Sequence, residues 1–155
     1  MKFLSLSVVS LTVSVTLAVA ALAHTGATGI VKERMDGMMA MGKALGVVAD
    51  MFKGKTSFDA AKVSASAKVV EGHAADMVAL FPDTKASREG KHTEALPSVW
   101  ESNDEFVALA VALEKKSADL AQVAASGDQS QIRRSFGEMA RVCSACHQDY
   151  RKPKN

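Results

Sequence analysis

Two cysteines and a histidine near the C-terminal end of the chain have the types and the spacing that covalent haem attachment requires. Cys143, Cys146 and His147 form a C-x-x-C-H motif, in which each thiol can add across one haem vinyl group and the imidazole can reach the iron. On a helix the three positions share one face, because residues three and four apart are neighbours. The motif therefore predicts one haem c that lies flat against a helix, with His147 as an iron ligand.

The same motif has three other interpretations. A redox dithiol is typical of a strand-helix-strand context, and the chain has no such alternation. A zinc site needs four ligands, whereas the remaining histidines, His24, His73 and His92, are scattered. A disulfide within one helical turn would strain the helix and close a very short loop. Covalent haem is the favoured interpretation, and a dithiol or a disulfide remains the main alternative.

The second iron ligand decides the chemistry of such a haem, and the sequence offers methionines for it. A thioether makes the iron a six-coordinate electron carrier, whereas an aliphatic residue leaves a position open to small gases. Methionines stand at positions 35, 38, 39, 41 and 51, and any one of them is more often a core filler. Helical periodicity places Met38 and Met41 on the inner stripe, and from the residues alone Met38 has only a modest lead.

Four amphipathic segments must position these side chains. In the first, Ile30, Arg34, Met38, Met41, Leu45, Val48 and Phe52 follow one stripe in steps of three and four. Ser57 is the expected N-cap of the second helix, and Asp128 with Gln131 begins the fourth. The expected bounds are residues 28–52, 57–81, 97–125 and 128–150, with a polar connection over residues 82–97. The pattern predicts an all-α, antiparallel four-helix bundle with the haem near the C-terminal helix.

Composition and charge agree with a single helical domain. The 155 residues are 48% hydrophobic but only 5% aromatic, a balance that favours helices over strands. The net charge of +2 with mixed signs gives no reason to expect nucleic acid as a partner. No face is continuous enough to require a partner protein, although a homodimer through the first two helices stays open.

Residues 1–23 have the features of a secretory signal peptide. Lys2 supplies the positive end, an apolar stretch runs from Phe3 to Ala20, and Ala21-Leu22-Ala23 has the small-x-small pattern of a cleavage site. The alternative is a retained membrane anchor, since the apolar run is about long enough to span a bilayer. We expect cleavage before His24, no stable membrane anchor afterwards, and a mature domain over residues 24–155 in the periplasm. Haem is attached to c-type apoproteins outside the cytoplasm, which agrees with export.

Beyond the haem motif, the mature chain resembles the class II c-type cytochromes, namely cytochrome c prime and its low-spin relatives. The segments that carry the resemblance are Lys32-Glu33-Arg34 with Met38, Phe58-Asp59-Ala60-Ala61, Pro97-Ser98-Val99-Trp100, Ser126-Gly127-Asp128 with Phe136-Gly137, and Cys143 to His147 with Tyr150-Arg151. The resemblance covers nearly all of the mature chain, and a haem motif so close to the C-terminus is specific to this group among small cytochromes.

The resemblance implies roles for three further residues. Met38 matches the haem-facing position of the family, where members with methionine are low-spin electron carriers and members with an aliphatic or aromatic residue bind nitric oxide or carbon monoxide. Arg34 is expected near a haem propionate, which a guanidinium suits by charge and geometry; the alternative is a solvent-facing helix cation. For Arg151, complementing the end of the last helix is favoured over a place at the haem edge.

The function expected from the sequence is that of a periplasmic monohaem c-type cytochrome. The leading hypothesis is a low-spin electron carrier with His147 and Met38 as iron ligands, which turns over no substrate and exchanges electrons with redox partner proteins. The alternative is a cytochrome c prime that can be five-coordinate and binds nitric oxide or carbon monoxide. A haem-free thiol oxidoreductase is a third hypothesis.

Overall fold

The computed structural model describes residues 26–153. The expected signal peptide over residues 1–23 and the expected cleavage point before His24 lie outside the described residues and stay predictions. The described chain folds into helices, four of them long, with the bounds α1 Gly29–Phe52, α2 Ala60–Asp76, α3 Lys85–Glu89, α4 Ser98–Glu101, α5 Asn103–Ala124 and α6 Gln129–Tyr150. Within residues 26–153, no helix is long and apolar enough to cross a bilayer.

Helix α1 agrees with its predicted stripe. It begins after Thr28, and beyond Phe52 the chain turns through Gly54, whose φ of +71° suits a residue without a side chain. Arg34, Met41 and Val48 are buried, as the stripe predicts. The other predicted positions are half-buried rather than buried: Ile30, Met38, Leu45 and Phe52.

Helix α2 is shorter than predicted at both ends. Its N-cap is Asp59, whose carboxylate accepts a hydrogen bond from the Lys62 amide, and not Ser57. The α-helix ends at Asp76, and a 3₁₀ turn over Val78–Leu80 carries the chain towards Pro82. The Phe81 carbonyl follows this turn and accepts a 3.0 Å hydrogen bond from the Trp100 indole.

The predicted third helix is two helices, because the chain bends at Ser102. The bend separates Val99 from Phe106 and still allows both to be buried, while Asp104 and Glu105 begin a new first turn, where acidic side chains are favoured. The connection before it is also more ordered than predicted, since it contains α3, which Thr84 caps through the Ser87 amide.

The long helices form the predicted all-α bundle. The closely packed pairs are α1 with α2, α2 with α5, and α5 with α6. Phe106, Leu120, Ile132 and Met139 are among the fully buried side chains of the shared core. Asp128 caps α6 by accepting hydrogen bonds from the amides of Ser130 and Gln131, which confirms the predicted start of the fourth helix.

Helices α1 and α6 meet at one end of the bundle and leave space between them further along. The rings of Phe52 and Phe136 pack edge to face with centroids 5.4 Å apart, and the guanidinium of Arg133 lies 4.3 Å from the Phe52 ring centroid. Beyond this junction the two backbones do not pack closely. The opening between them is the cavity described next.

Candidate haem-binding site

A cavity of about 380 Å³ lies between α1, α5 and α6, within the range of roughly 300–1,000 Å³ typical of ligand-binding cavities. Its wall is mostly apolar. The lining residues are Val31, Arg34, Met35, Met38, Met39, Met41, Gly42 and Leu45 from α1; Met77 and Phe81; Thr93, Glu94 and Ala95; Val99; Phe106, Leu109, Ala110 and Leu113 from α5; and Val142, Cys143, Cys146, His147, Tyr150 and Arg151 from the end of the chain.

The structure brings the whole C-x-x-C-H motif to this cavity. Cys143, Cys146 and His147 lie in the penultimate and last turns of α6 and all three line the wall. Both thiols are free and half-buried, whereas His147 is exposed to solvent. The helical spacing thus presents two thiols and one imidazole to the same space, as the sequence predicts.

The environment of the two thiols does not suit a redox dithiol. Burial raises the pKa of Cys143, and burial together with the neighbouring Cys143 and Asp149 raises the pKa of Cys146 to about 11. A reactive dithiol needs the opposite shift, because the thiolate is the nucleophile. Within residues 26–153 no cluster of three or more His, Cys, Asp or Glu side chains could hold a metal ion, so the zinc alternative finds no ligand set there.

Four methionines of α1 line the cavity, namely Met35, Met38, Met39 and Met41. Their level in the bundle follows from the contact of Phe52 with Phe136. Helices α1 and α6 run antiparallel and meet at this contact. Met38 stands 14 residues before Phe52 on α1, and His147 stands 11 residues after Phe136 on α6. At about 1.5 Å per residue these are displacements of about 21 and 16 Å, so Met38 and His147 lie within roughly one turn of the same level on opposite walls.

Arg34 is a buried cation in the cavity wall. Only 6% of the residue is exposed to solvent. Its Nη2 donates a 2.8 Å hydrogen bond to the Ser87 carbonyl, and its guanidinium lies 4.5 Å from the Phe81 ring centroid. Nη1 is buried without a hydrogen-bond partner. Burial lowers the pKa of the guanidinium, although Arg remains charged. The solvent-facing alternative for Arg34 is therefore wrong.

Sequence reasoning missed the segment over residues 93–95, which lines the cavity beside the end of α6. Glu94 pairs with Arg151, whose Nε and Nη2 lie 2.8 and 2.7 Å from the same carboxylate oxygen, Oε2. Arg151 lines the cavity as well, so it has contacts beyond the helix end that the sequence interpretation assigned to it. Nothing in the sequence links two charges that stand 57 positions apart.

The residues present fit a haem c. An apolar wall suits the macrocycle, the two thiols and the imidazole stand together on one side, and the unpartnered Nη1 of Arg34 supplies a buried donor for a carboxylate. A buried donor without a partner costs about 1–3 kcal/mol, so a group that accepts from it would relieve a defect of the bare chain. Haem carries two propionates that can accept such a bond.

Comparison with known proteins gives the same result. The family model described as Cytochrome C' matches residues 29–151. A cytochrome c' of Rhodopseudomonas palustris is 31% identical over 131 residues, which cover 83% of this chain and 85% of that protein. A cytochrome c-554 of Cereibacter sphaeroides is 30% identical over 122 residues, with coverage of 74% and 75%.

Solved structures share the fold. Cytochrome c prime of Shewanella frigidimarina superposes with a TM-score of 0.73 at 30% identity, covering 80% of this chain and 94% of that one. A variant of cytochrome c prime of Alcaligenes xylosoxidans, solved as its nitric oxide complex, gives a TM-score of 0.69 at 27% identity, with coverage of 80% and 94%. Another cytochrome c', described as having ligand-controlled dimer dissociation, gives 0.72 at 25% identity, with coverage of 80% and 95%. The chain therefore belongs to the cytochrome c' family, the class II c-type cytochromes, whose cofactor is a covalently attached haem c.

Proposed function

We propose that this monohaem c-type cytochrome binds nitric oxide or carbon monoxide at its haem iron, on the side of the cavity formed by α1. The observation that carries the proposal is the relative from Alcaligenes xylosoxidans, which shares the fold over 80% of this chain and was solved with nitric oxide bound in a variant. The comparisons favour this function over the electron carrier that the sequence led us to expect first.

The residues of the cavity are compatible with a small apolar ligand. In this proposal His147 holds the iron from α6, Cys143 and Cys146 hold the porphyrin, and Arg34 binds a propionate through Nη1. Apart from Arg34 and Gly42, the wall on α1 consists of methionine and aliphatic side chains, including Met35 and Leu45. Such side chains exclude water, and a flexible thioether such as that of Met38 can move aside for a gas molecule.

The electron carrier remains a second candidate because of one specific observation. Met38 lines the same cavity as His147, and counting residues from the Phe52–Phe136 contact puts the two within roughly one turn of the same level. A Met38 sulfur bound to the iron would make it six-coordinate and low-spin. In that case the protein would pass electrons to redox partner proteins and bind gases poorly. Neither candidate turns over a substrate.

Optical spectra of the purified ferrous protein, with and without carbon monoxide, separate the two candidates. Gas binding predicts a high-spin ferrous spectrum, or a low-spin spectrum, that carbon monoxide converts to the spectrum of a carbon monoxide complex. A sharp low-spin spectrum that saturating carbon monoxide leaves unchanged would overturn gas binding and support the electron carrier. Haem staining on a denaturing gel removes the thiol oxidoreductase hypothesis if the band stains.

We also propose that the protein acts in the periplasm and pairs as a homodimer through α1 and α2. The expected signal peptide supports the periplasm, and so does the attachment of haem to c-type apoproteins outside the cytoplasm. Val47 on α1 and Val69 on α2 are 44% and 42% exposed, and the relative described with ligand-controlled dimer dissociation supports a dimer. Mass measurement of the exported protein tests cleavage before His24, and analytical ultracentrifugation of wild type beside Val47→Lys tests the dimer.

A further inference from the structure

The ion pair between Glu94 and Arg151 lies at the wall of the haem cavity. Arg151 follows His147 by four residues in the chain. Both residues line the cavity, and their side chains are only 39% and 27% exposed. Partial burial reduces the screening of charge by water and salt. A charge at this position therefore acts on the cavity more strongly than one on the open surface of the bundle.

Backbone hydrogen bonds join the two segments that carry the pair, and they limit how far the two charges can separate. Residues 94–96 form a short antiparallel bridge with the end of α6: the Leu96 amide donates to the Tyr150 carbonyl at 3.0 Å, and the Lys152 amide donates to the Glu94 carbonyl at 2.8 Å. Ser98 Oγ donates to the Asp149 carbonyl at 2.7 Å. The bonds to Tyr150 and Asp149 also satisfy carbonyls at the end of α6, which lack intrahelical donors.

The geometry of the pair itself is specific. Arg151 presents Nε and Nη2 together to Oε2 of Glu94, which uses one edge of the planar guanidinium and restricts its rotation. Because Arg151 follows the last helical residue and already has extended backbone angles, its side chain is not held by the helix. Glu94 is the residue that holds it.

We propose that Glu94 is a positioning residue for the iron site: its carboxylate holds the Arg151 guanidinium at the wall of the cavity that His147 also lines and balances its charge, so that the pair sets the reduction potential. The inference does not depend on whether the iron binds gas or carries electrons. It requires only the haem c that the family assigns to this cavity. A positive charge near the iron favours the reduced state, and the carboxylate opposes that effect.

The test measures midpoint potentials of the haem-loaded protein by spectroelectrochemistry. Glu94→Gln keeps a hydrogen-bond acceptor for Arg151 but removes the negative charge, so the potential should rise. Arg151→Gln removes the positive charge and leaves the carboxylate, so the potential should fall. The double variant should return to near the wild-type value. Glu138→Gln is the matched control, because Glu138 pairs with Lys116 at 2.7 Å between α5 and α6 but does not line the cavity.

A purely structural role for Glu94 gives a different pattern. If the pair only anchored residues 93–96, either single variant would loosen the segment and shift the potential in the same direction. Shifts of the same sign, or a Glu94→Gln shift no larger than that of Glu138→Gln, would overturn the proposal. Should Arg151→Gln fail to retain haem, the comparison of Glu94→Gln with Glu138→Gln decides by itself.

Hydrogen exchange gives a readout that is independent of the iron. Glu94→Ala should release Arg151 and speed exchange at the Leu96 and Lys152 amides several-fold, because those bonds open together with the segment. Glu94→Gln should restore slow exchange while leaving its potential shifted. Equal exchange in all three proteins would mean that Glu94 does not hold the segment, and the positioning role would then be wrong.

Discussion

Arg34 Nη2 donates a 2.8 Å hydrogen bond to the main-chain carbonyl of Ser87, and this bond ties α1 to α3. Both residues are buried. Phe81 covers one face of the guanidinium, and Nη1 is left without a hydrogen-bond partner in the cavity wall. The same side chain thus satisfies a backbone acceptor of α3 and forms part of the cavity wall.

Replacing Arg34 by Met should lower the free energy of unfolding of the haem-loaded protein by about 1–3 kcal/mol, the usual cost of leaving a buried acceptor unsatisfied. The Ser87 carbonyl would lose its donor, while the unbranched side chain of Met would still pack against Phe81. Urea unfolding followed by far-UV circular dichroism measures the change. Arg34→Lys should fall between wild type and Arg34→Met.

Arg133 offers the matched control for Arg34. It also lies over a phenylalanine ring, 4.3 Å from the Phe52 centroid, and donates to a main-chain carbonyl, that of Phe52, at 3.4 Å. It is exposed and outside the cavity, so Arg133→Met should change the stability by less than about 0.5 kcal/mol. Equal losses in the two variants would show that stacking on a ring, and not burial at the site, accounts for the effect.

Exchanging single methionines for leucine tests whether a methionine sulfur binds the iron, and which one. Such a change nearly conserves volume and should cost less than about 1.5 kcal/mol of stability. If Met38 binds the iron, Met38→Leu should convert a low-spin spectrum to a high-spin one and speed the uptake of carbon monoxide. Met41→Leu should leave the spectrum unchanged, since Met41 is a buried core residue. The reverse outcome would assign the sulfur to Met41, and a wild type that is already high-spin would leave Met38 a packing role only.

The parts of the site that lie on one helix could be predicted from the sequence. Cys143, Cys146 and His147 reach the same cavity because a 3.6-residue period puts them on one face. The stripe of α1 likewise predicts that Arg34 and Met38 face inward. In both helices local periodicity determines the direction of a side chain, so no knowledge of the tertiary fold was needed.

The parts that depend on distant contacts could not be predicted. Whether Glu94 meets Arg151 depends on where a long connection crosses the end of α6, and neither local pattern nor charge records that path. The same holds for the hydrogen bond from the Trp100 indole to the Phe81 carbonyl, which joins residues 19 positions apart.

The N-cap of α6 should make the stability of the protein depend on acid pH. Hydrogen bonds from the Gln131 amide and side chain lower the pKa of Asp128 below its ordinary value. A carboxyl with a lowered pKa in the folded state stabilises the fold fully above its unfolded pKa of about 3.9, and the contribution is lost as the pH falls through the folded pKa. Unfolding free energies measured from pH 6 to pH 3 should therefore show this loss.

Asp128→Asn separates the cap from its charge, because asparagine caps a helix without titrating. The unfolding free energies of wild type and Asp128→Asn should change in parallel above about pH 5. Below about pH 4, wild type should lose stability relative to the variant. Asp128→Ala should be less stable than both at neutral pH. Parallel curves for wild type and Asp128→Asn down to pH 3 would contradict the assignment of the acid sensitivity to this carboxylate.

Gly90 and Gly46 should respond to alanine in opposite directions. A Cβ at Gly90 would collide with the Ala86 carbonyl oxygen and come within 2.5 Å of Val31 Cγ2, so Gly90→Ala should cost about 1–3 kcal/mol through overpacking. Gly46 lies within α1 with no atom within 4 Å of such a Cβ, and Gly46→Ala should stabilise the protein by about 0.5–1 kcal/mol.

The consequence of Gly90→Ala should extend to the cavity. Val31 lines the cavity, and Gly90 follows directly after α3, whose Ser87 carbonyl accepts from Arg34. Moving α3 away from α1 to make room for the methyl group would lengthen that hydrogen bond and free the guanidinium. Urea unfolding of the haem-loaded variants measures their stability. The double variant Gly90→Ala/Arg34→Met should lose less unfolding free energy than the sum of the two single losses, because both substitutions act on one contact. Additive losses would mean that α3 holds its place without Arg34.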